Sequence, residues 1–375
     1  MTIDLASGAT AIELHARPSP GDGALLGSLL QGAWRARPGA SGLTSSELAR
    51  ATPLALRSGA AALAWARVRG TRLAKTPDGE RLRQAALRSA IVNAMREASL
   101  ASIVGRLNAA DVKPLIFKGW AIARRYASLH SRPYGDFDLL VAPSQWETAR
   151  RTLVAHCLAS DSKPEEGQFG FADSRGRIIA MVDLHDGFPP YYATPEGPML
   201  ARATEVKLPG GETLLEPCPE DHLRIVVLHF LKHGGWRPLW LCDVAALVEA
   251  AGPDFDWELC RGENPIARSW VHAGIAAAGE LVGCEVPASL ALAKPPKWLV
   301  KTILREWRAP DAARFRSPAP EATARYFFDK LASYWLNPIG SSVILGARPT
   351  SFRPVHLQIA YWTHSFANAV AKSTL

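Results

Sequence analysis

The sequence predicts an α+β protein, in which a small mixed sheet is flanked by helices, with a helical arm before it and a helical domain after it. Helical apolar spacing dominates the first part of the chain, short apolar strands alternate with helices in the middle, and helical spacing returns towards the end. Such alternation is typical of a sheet covered by helices. The predicted boundaries are 1–84 for the arm, 85–216 for the sheet domain and 217–375 for the helical domain.

Composition and charge describe an ordinary globular chain. Of 375 residues, 48% are hydrophobic and 21% are charged, which is enough apolar material for the core of two or three modules. No apolar run has the length of a membrane span and no leader opens the chain, so we expect a cytoplasmic protein without a membrane partner. The net charge of +8 favours polyanions, but arginine is abundant throughout and no nucleic-acid-binding motif is present. Nucleic acid is therefore not an expected partner.

The helical arm opens with a segment broken by proline and glycine, in which residues 25–34 form one short helix. Thr44 or Ser45 can cap a following helix through Glu47. Apolar residues then recur at helical spacing over residues 80–107, which predicts one long amphipathic helix that leads into the sheet domain.

Short apolar runs separated by turns predict the strands of the sheet domain. Lys118 and Gly119 form the turn after the first run, and Gly176 and Arg177 form a hairpin turn. The predicted strands cover residues 112–117, 137–141, 169–173, 178–184, 205–208 and 212–215. The predicted helices cover residues 120–126, 144–157, 220–233, 239–251 and 257–278, the last with a break near Pro265.

Two aspartates at the start of the second strand carry the strongest chemical signal, in the segment RPYGDFDLLV at residues 132–141. Because side chains alternate along a strand, Asp136 and Asp138 point to one face. Their charges repel unless a cation lies between them, and Mg²⁺, or Mn²⁺ in its place, prefers the oxygen ligands that carboxylates supply. A nucleoside triphosphate would complete the coordination, so we expect a metal and a nucleotide at this position.

A third carboxylate is expected in a two-metal displacement, where it shares the metal ions and accepts a proton from the attacking hydroxyl. Asp183, on the strand after the hairpin turn, is the candidate. The predicted catalytic and metal-binding set is therefore Asp136, Asp138 and Asp183. His185 shares the face of Asp183 and either contacts substrate or forms a structural hydrogen bond.

Three residues near the carboxylates are predicted to bind phosphate. Lys118 and Gly119 stand at a strand-to-helix turn, where exposed N–H groups and the helix dipole favour an anion. Gly119 permits close approach of the backbone, and Lys118 neutralises phosphate charge. Arg132 can reach the same phosphates or serve only as a turn residue.

Basic residues also recur on the first helix of the helical domain. His222, His229 and His233 share one helical face, and the last two have the spacing of a metal pair. The glutamate that a zinc protease needs after His229 is missing, so the open readings are zinc, interdomain packing, or substrate and base contacts by His229, Lys232 or His233. Asp243, on the next helix, can orient one of these histidines.

These motifs resemble the uncharacterised nucleotidyltransferase family of the DNA polymerase beta-like superfamily. The similarity rests on the Lys-Gly turn and the RPxxDxDLLV segment between residues 115 and 141, on VDLH at 182–185, and on PEDHL, HFLKH and LWLCD between 219 and 243. It covers residues 85–275 and implies a nucleotidyltransferase-type sheet with Asp136, Asp138 and Asp183 as metal ligands. The chain departs from the superfamily at its Gly-Ser or Gly-Gly turn, where Lys118 and Gly119 stand and the serine hydroxyl is missing.

The resemblance implies transfer of a nucleoside monophosphate from a triphosphate onto a hydroxyl or phosphate, with release of pyrophosphate. The acceptor is open and could be a peptide natural product or a sugar, held against the helical domain. Two alternatives remain. One is a glycosyl or other transferase with a nucleotide-activated donor, because paired aspartates with a metal also hold a diphosphate leaving group. The other is a non-catalytic protein that only binds nucleotide.

Overall fold

A computed structural model shows the mixed α+β architecture that the sequence predicts. The structure describes residue 19 and residues 21–127, 131–156, 162–172, 176–192, 196–308 and 337–350. Outside these ranges lie the predicted ends of the helix at 144–157 and of the strand at 169–173, and also parts of the arm and of the helical domain.

The described strands form one open sheet in the order β3-β4-β2-β1-β6-β5 once they are numbered along the chain. They are β1 (Leu115–Phe117), β2 (Asp136–Leu140), β3 (Gln168–Ala172), β4 (Ile178–His185), β5 (Thr204–Lys207) and β6 (Thr213–Glu216). The β2–β4 and β1–β6 pairs are parallel and the other pairs are antiparallel. The predicted first strand is shorter than expected because the Val112 N–H closes the preceding helix on the Leu107 carbonyl, 2.9 Å away.

Helices precede, interrupt and follow this sheet. They are α1 (Asp22–Leu30), α2 (Ser45–Arg57), α3 (Ala61–Val68), α4 (Pro77–Ala109), α5 (Gly119–Ala123), α6 (Trp146–Val154), α7 (Glu196–Arg202), α8 (Pro219–Lys232), α9 (Pro238–Glu249), α10 (Trp257–Arg261), α11 (Pro265–Val282), α12 (Lys297–Arg308) and α13 (Ile339–Ile344). Thr44 and Glu47 form the predicted capping box of α2. Asn264 caps α11 just before Pro265, which accounts for the predicted break.

The two faces of the sheet pack into different hydrophobic cores. Ile116 and Phe137 point into a smaller core with α4 and α6, whereas Leu115, Phe117 and Leu140 point into a larger core built mainly by helices. Since side chains alternate along β2, Asp136 and Asp138 lie on the face of Leu140. The carboxylates are therefore directed towards the helical half of the molecule.

The N-terminal helices join this larger core rather than standing apart from it. Buried side chains of α1, α2 and α3 pack in one cluster with those of α8, α9 and α11, and α1 crosses both α11 and α12. The predicted boundaries at residues 84 and 216 stay a prediction. No helix in the described ranges has both the length and the apolar character needed to cross a membrane.

Helix α4 connects the two cores. It has 33 residues and is therefore about 50 Å long. Thr76 caps its start and Pro77 occupies its first turn, so that it begins before the predicted residue 80. Leu82, near its start, is buried in the larger core, and Leu100 and Leu107 are buried in the smaller one.

The crossing of α1 over α12 predicts a stability effect at Gly23. A Cβ atom there would lie 2.3 Å from the Leu304 carbonyl oxygen, which is backbone and cannot rotate away. We expect Gly23→Ala to lower the free energy of unfolding by about 1–3 kcal/mol in urea denaturation. Gly105→Ala, also within a helix, meets only the flexible Glu212 side chain and should be neutral or stabilising. Equal effects of the two substitutions would contradict this packing.

Candidate active site

The register of three strands brings the predicted carboxylates together. Asp138 on β2 is paired with Phe117 on β1 and with Asp183 on β4, and Asp136 stands two residues before Asp138 on the same face. Asp138 is buried, with 7% of its surface exposed, while Asp136 is exposed and Asp183 is half-buried. The spacing therefore gives one buried carboxylate between two accessible ones.

Lys118 forms an ion pair with the buried carboxylate. Its Nζ lies 2.7 Å from Asp138 Oδ1 and 4.8 Å from the centroid of the Phe117 ring. The Lys118 backbone has φ 59°, a left-handed conformation that a residue with a side chain rarely adopts. At Gly119, where φ is 21°, a Cβ atom would lie 3.1 Å from the Asp136 carbonyl oxygen. Glycine thus permits the turn to approach β2, as the sequence suggested for a phosphate.

His222 fixes this unusual turn from the helical half. The Lys118 N–H donates to His222 Nε2 over 3.2 Å, so that Nε2 must carry a lone pair. Burial, together with the positive charges of Arg125 and Arg132, lowers the pKa of His222 to about 3. The ring is therefore neutral at physiological pH and remains a hydrogen-bond acceptor. The sequence placed His222 with the other histidines of α8 but gave no sign of its partner, 104 positions away.

The three carboxylates differ in their pKa values. Burial alone would raise the pKa of Asp138, but Lys118 and His185 lower it below its ordinary value. Desolvation and the charge of Asp138 raise the pKa of Asp136. Desolvation and both other aspartates raise the pKa of Asp183 to about 6. Lys118 thus offsets the negative charge of Asp138, whereas Asp136 and Asp183 still experience carboxylate repulsion.

His185 and an aromatic segment complete the sheet side of the site. His185 Nε2 lies 3.4 Å from Asp138 Oδ1, and its ring packs on Phe117 with centroids 5.4 Å apart. Phe188 contacts Phe117 edge-on at 5.0 Å and Tyr192 at 5.6 Å. Phe188 and Tyr192 were not predicted from the sequence, although the FPPYY run at residues 188–192, which begins three residues after His185, was a signal that could have indicated them.

The basic face of α8 lies across from the carboxylates. His229 Nδ1 is 3.2 Å from the Tyr192 hydroxyl, and the His229, His233 and Trp240 rings pack together with centroids 4.5–5.2 Å apart. Burial and Lys118 lower the pKa values of His229 and Lys232. Burial and Lys232 lower the pKa of His233 to about 3. Both histidines are therefore neutral, and the charge of this face comes from Lys232.

Arg132 and Asp243 pair with each other. Arg132 donates from Nε to Asp243 Oδ1 over 3.0 Å and from a terminal nitrogen to Oδ2 over 2.6 Å, while its other terminal nitrogen donates to the Pro133 carbonyl. The Tyr126 hydroxyl also donates to Asp243 Oδ1, over 2.7 Å. The guanidinium is thus used within the protein and joins the start of β2 to α9, whereas the sequence left open a phosphate contact or a turn residue. Asp243 orients this arginine and not a histidine.

Two further arginines approach the site without having been predicted. Arg96 of α4 donates to the Tyr134 and Ile179 carbonyl groups, and Asp136 affects its pKa, which burial lowers. Arg237, before α9, also lies within electrostatic range of Asp136. Neither belongs to a recognisable motif, so that only the three-dimensional packing reveals them.

The donor chemistry of the carboxylates suits a divalent metal ion. Asp136, Asp138 and Asp183 offer only oxygen ligands. Desolvation raises the pKa of Asp183 most, and the charges of Asp136 and Asp138 add a repulsion that a cation would relieve. In the described ranges, however, no group of three or more His, Cys, Asp or Glu side chains is arranged to hold a metal ion. The ammonium of Lys118 instead pairs with Asp138. The residues therefore fit a metal in type and charge.

Comparisons with known proteins identify the family. The family model for "Uncharacterised nucleotidyltransferase" matches residues 44–278, well over half of the chain, and the chain therefore belongs to that family. It is accordingly a transferase, and family membership supports nucleotidyl transfer as its general activity. The matched region includes every residue of the site described above.

Other comparisons add little to this assignment. The chain is similar to a crystal structure of an antigenic nucleotidyltransferase-like protein from Paracoccidioides brasiliensis, with 13% identity over 52% of this chain and 94% of that chain. The TM-score of 0.38 is too low to carry an argument. No protein with a curated description matches the chain.

The Arg132–Asp243 pair predicts a large stability effect. Arg132 has 4% of its surface exposed and Asp243 has none, so removing one charge would leave the other buried and uncompensated. We expect Asp243→Asn to lower the free energy of unfolding by about 3 kcal/mol. Asp254→Asn, at an exposed position, is the control and should change it by less than about 0.5 kcal/mol. Similar losses in urea denaturation would rule out a structural role for the pair.

Removing the charge of Asp183 should raise the stability of the metal-free protein rather than lower it. The pKa of Asp183 in the folded protein, about 6, lies above the ordinary 3.8, so its ionised form destabilises the metal-free fold. This destabilisation is absent below pH 4, grows as the pH rises, and is complete above the folded pKa. We expect Asp183→Asn to stabilise the metal-free protein by about 1 kcal/mol at pH 7.5, after allowance for solvent screening. The gain should vanish near pH 4 in urea denaturation, and a pH-independent change would argue against carboxylate repulsion.

Proposed function

We propose that this protein transfers a nucleoside monophosphate from a nucleoside triphosphate onto a hydroxyl or phosphate of an acceptor, with Asp136, Asp138 and Asp183 at the reacting centre. The observation that carries the proposal is the register of β2 and β4, which sets Asp138 opposite Asp183 on the face that meets the helical half. Membership of the nucleotidyltransferase family supports the same reaction class.

Asp136, Asp138 and Asp183 would hold Mg²⁺ or Mn²⁺ in this proposal. A divalent ion bound there supplies positive charge to the α-phosphate and relieves the repulsion among the carboxylates. The Lys118 ammonium would then leave Asp138, because a cation and an ammonium compete for the same carboxylate oxygen. Lys118 would become available to the phosphates of the donor.

Asp183 is the proposed base. An acceptor oxygen attacks the α-phosphorus, the bond from that phosphorus to the bridging oxygen breaks, pyrophosphate leaves, and the proton of an attacking hydroxyl passes to Asp183. In the metal-free site, desolvation and the two other aspartates raise the pKa of Asp183 to about 6, so that it is ionised at neutral pH and able to accept a proton. A bound metal ion would lower that pKa. Asp138, whose pKa is lowered by its cationic neighbours, is less suited to that step.

Other predicted residues act as supports in this proposal. His222 positions the Lys118–Gly119 turn through one backbone hydrogen bond, and His185 packs beside Asp138. Arg132 and Asp243 hold the start of β2 against α9 without contacting the donor. His229 and His233, both neutral, stay candidates for contact with the acceptor, whose peptide or sugar character is not fixed by these contacts.

Label transfer tests the reaction directly. The purified protein, a divalent metal and an extract of the host cell are incubated with triphosphates labelled at the α- or the γ-phosphate. We expect the α-label to enter an acceptor as pyrophosphate is released. Asp138→Asn should reduce transfer at least about a hundredfold, because a metal contributes several kcal/mol to the barrier. Asp254→Asn, at an exposed position, is the matched control and should keep wild-type activity.

The outcomes separate the proposal from its rivals. Transfer of a hexose from a labelled nucleotide sugar, with no transfer of α-label, would replace the proposal with a glycosyl transferase. Nucleotide binding without transfer of either label would favour the non-catalytic alternative, in which Lys118 stays paired with Asp138. Transfer that survives Asp138→Asn would contradict the assigned site.

A further inference from the structure

Two cations of the helical half face the carboxylates without a carboxylate of their own. Lys232 ends α8, and Arg237 precedes α9. Within the ranges that the structure describes, neither forms an ion pair, although Lys118, Arg132 and many surface arginines do. Both side chains are partly buried, so this positive charge is costly to retain.

The contacts of these cations orient them without neutralising them. Lys232 Nζ lies 5.3 Å from the centroid of the Tyr191 ring. The Arg237 guanidinium lies 5.9 Å and 5.5 Å from the centroids of Trp236 and Trp240, and its Nε donates to the Ser58 carbonyl over 3.0 Å. Aromatic faces hold a cation in place but leave its full charge for a further partner.

Both cations belong to the carboxylate site. Burial and Lys118 lower the pKa of Lys232, and Asp138 partly restores it, so that its charge lies within range of both. Burial and Arg132 lower the pKa of Arg237 to about 10, with Asp243 and Asp136 acting in the opposite direction. His233, next to Lys232 in the chain, packs on Trp240 with ring centroids 5.2 Å apart, and the Arg237 guanidinium also lies over the Trp240 ring. Lys232 and Arg237 therefore form a cationic wall of two separate charges, each within electrostatic range of one of the site aspartates.

We propose that Lys232 and Arg237 form the seat for the β- and γ-phosphates of the donor triphosphate. The assignment rests on the proposed nucleotidyl transfer. It adds that the leaving pyrophosphate lies on the side of the site formed by the helical half. A polyphosphate supplies the anion that the two cations lack, and its oxygens can accept charge-assisted hydrogen bonds from both.

An anionic acceptor has the same chemistry as a phosphate tail and is the alternative occupant of this wall. Two consequences distinguish the phosphate tail of the donor from an anionic acceptor as the occupant. A seat for the β- and γ-phosphates makes a triphosphate bind more tightly than the monophosphate of the same base, and it lets inorganic tripolyphosphate compete with the triphosphate. A seat for an acceptor does neither.

Binding measurements test the seat. Dissociation constants for inorganic tripolyphosphate and for each common ribonucleoside mono- and triphosphate are measured calorimetrically with Mg²⁺ on the full chain. We expect Lys232→Met to weaken triphosphate and tripolyphosphate at least about tenfold and to leave monophosphate nearly unchanged. Lys207→Met, at an exposed position on β5, is the matched control and should leave every constant unchanged. Lys232→Arg should keep most of the wild-type affinity. If Lys232→Met is unstable, this variant shows whether the affinity depends on the positive charge or on correct folding.

An unchanged ratio of triphosphate to monophosphate affinity in a folded Lys232→Met protein would overturn the seat. So would tripolyphosphate that binds but is displaced by no triphosphate, because the wall would then belong to an acceptor. If wild-type protein shows the expected preference but transfers no α-label, the proposed reaction fails while the seat stands. The two proposals can therefore fail separately.

Discussion

Carboxylate repulsion at the meeting of β1, β2 and β4 is the constraint on which the site depends. Strand register fixes Asp138 beside Asp183, and the sheet cannot separate them without breaking its ladder. The ammonium of Lys118 offsets part of this cost, but only because the turn after β1 has an unusual backbone conformation. The negative charge that remains on Asp136 and Asp183 is what the proposed divalent cation would neutralise.

The helical half holds the sheet in this state. His222 of α8 accepts the N–H of the turn, and Asp243 of α9 binds the arginine that leads into β2. Both residues are buried and both act on the backbone or side chain of a strand-edge segment rather than on a ligand. The same helices also supply the unpaired charge opposite the carboxylates. Site and scaffold therefore cannot be assigned to separate parts of the chain.

The sequence predicted those features that depend on local alternation. The spacing of Asp136 and Asp138 on one strand and the apolar run around Asp183 were sufficient to place three carboxylates on one face, and the family comparison confirms the transferase class. The partners of the Lys118 backbone N–H and of the Arg132 side chain were not predictable, because they lie 104 and 111 positions away and are chosen by packing between sheet and helices. An arginine before a proline gives no sign of which anion it meets.

Helix α4 gives the molecule a mechanical property. Its start and end are anchored in different cores, and at its middle Asn93 and Arg96 donate to the Arg132 and Tyr134 carbonyl groups, just ahead of β2. Because α4 is continuous and buried in a different core near each end, it acts as a strut between the two cores. Hinged opening of one core against the other would have to tilt this strut and displace the residues that lead into Asp136. The position of the segment that leads into Asp136 is therefore tied to the packing at both ends of α4.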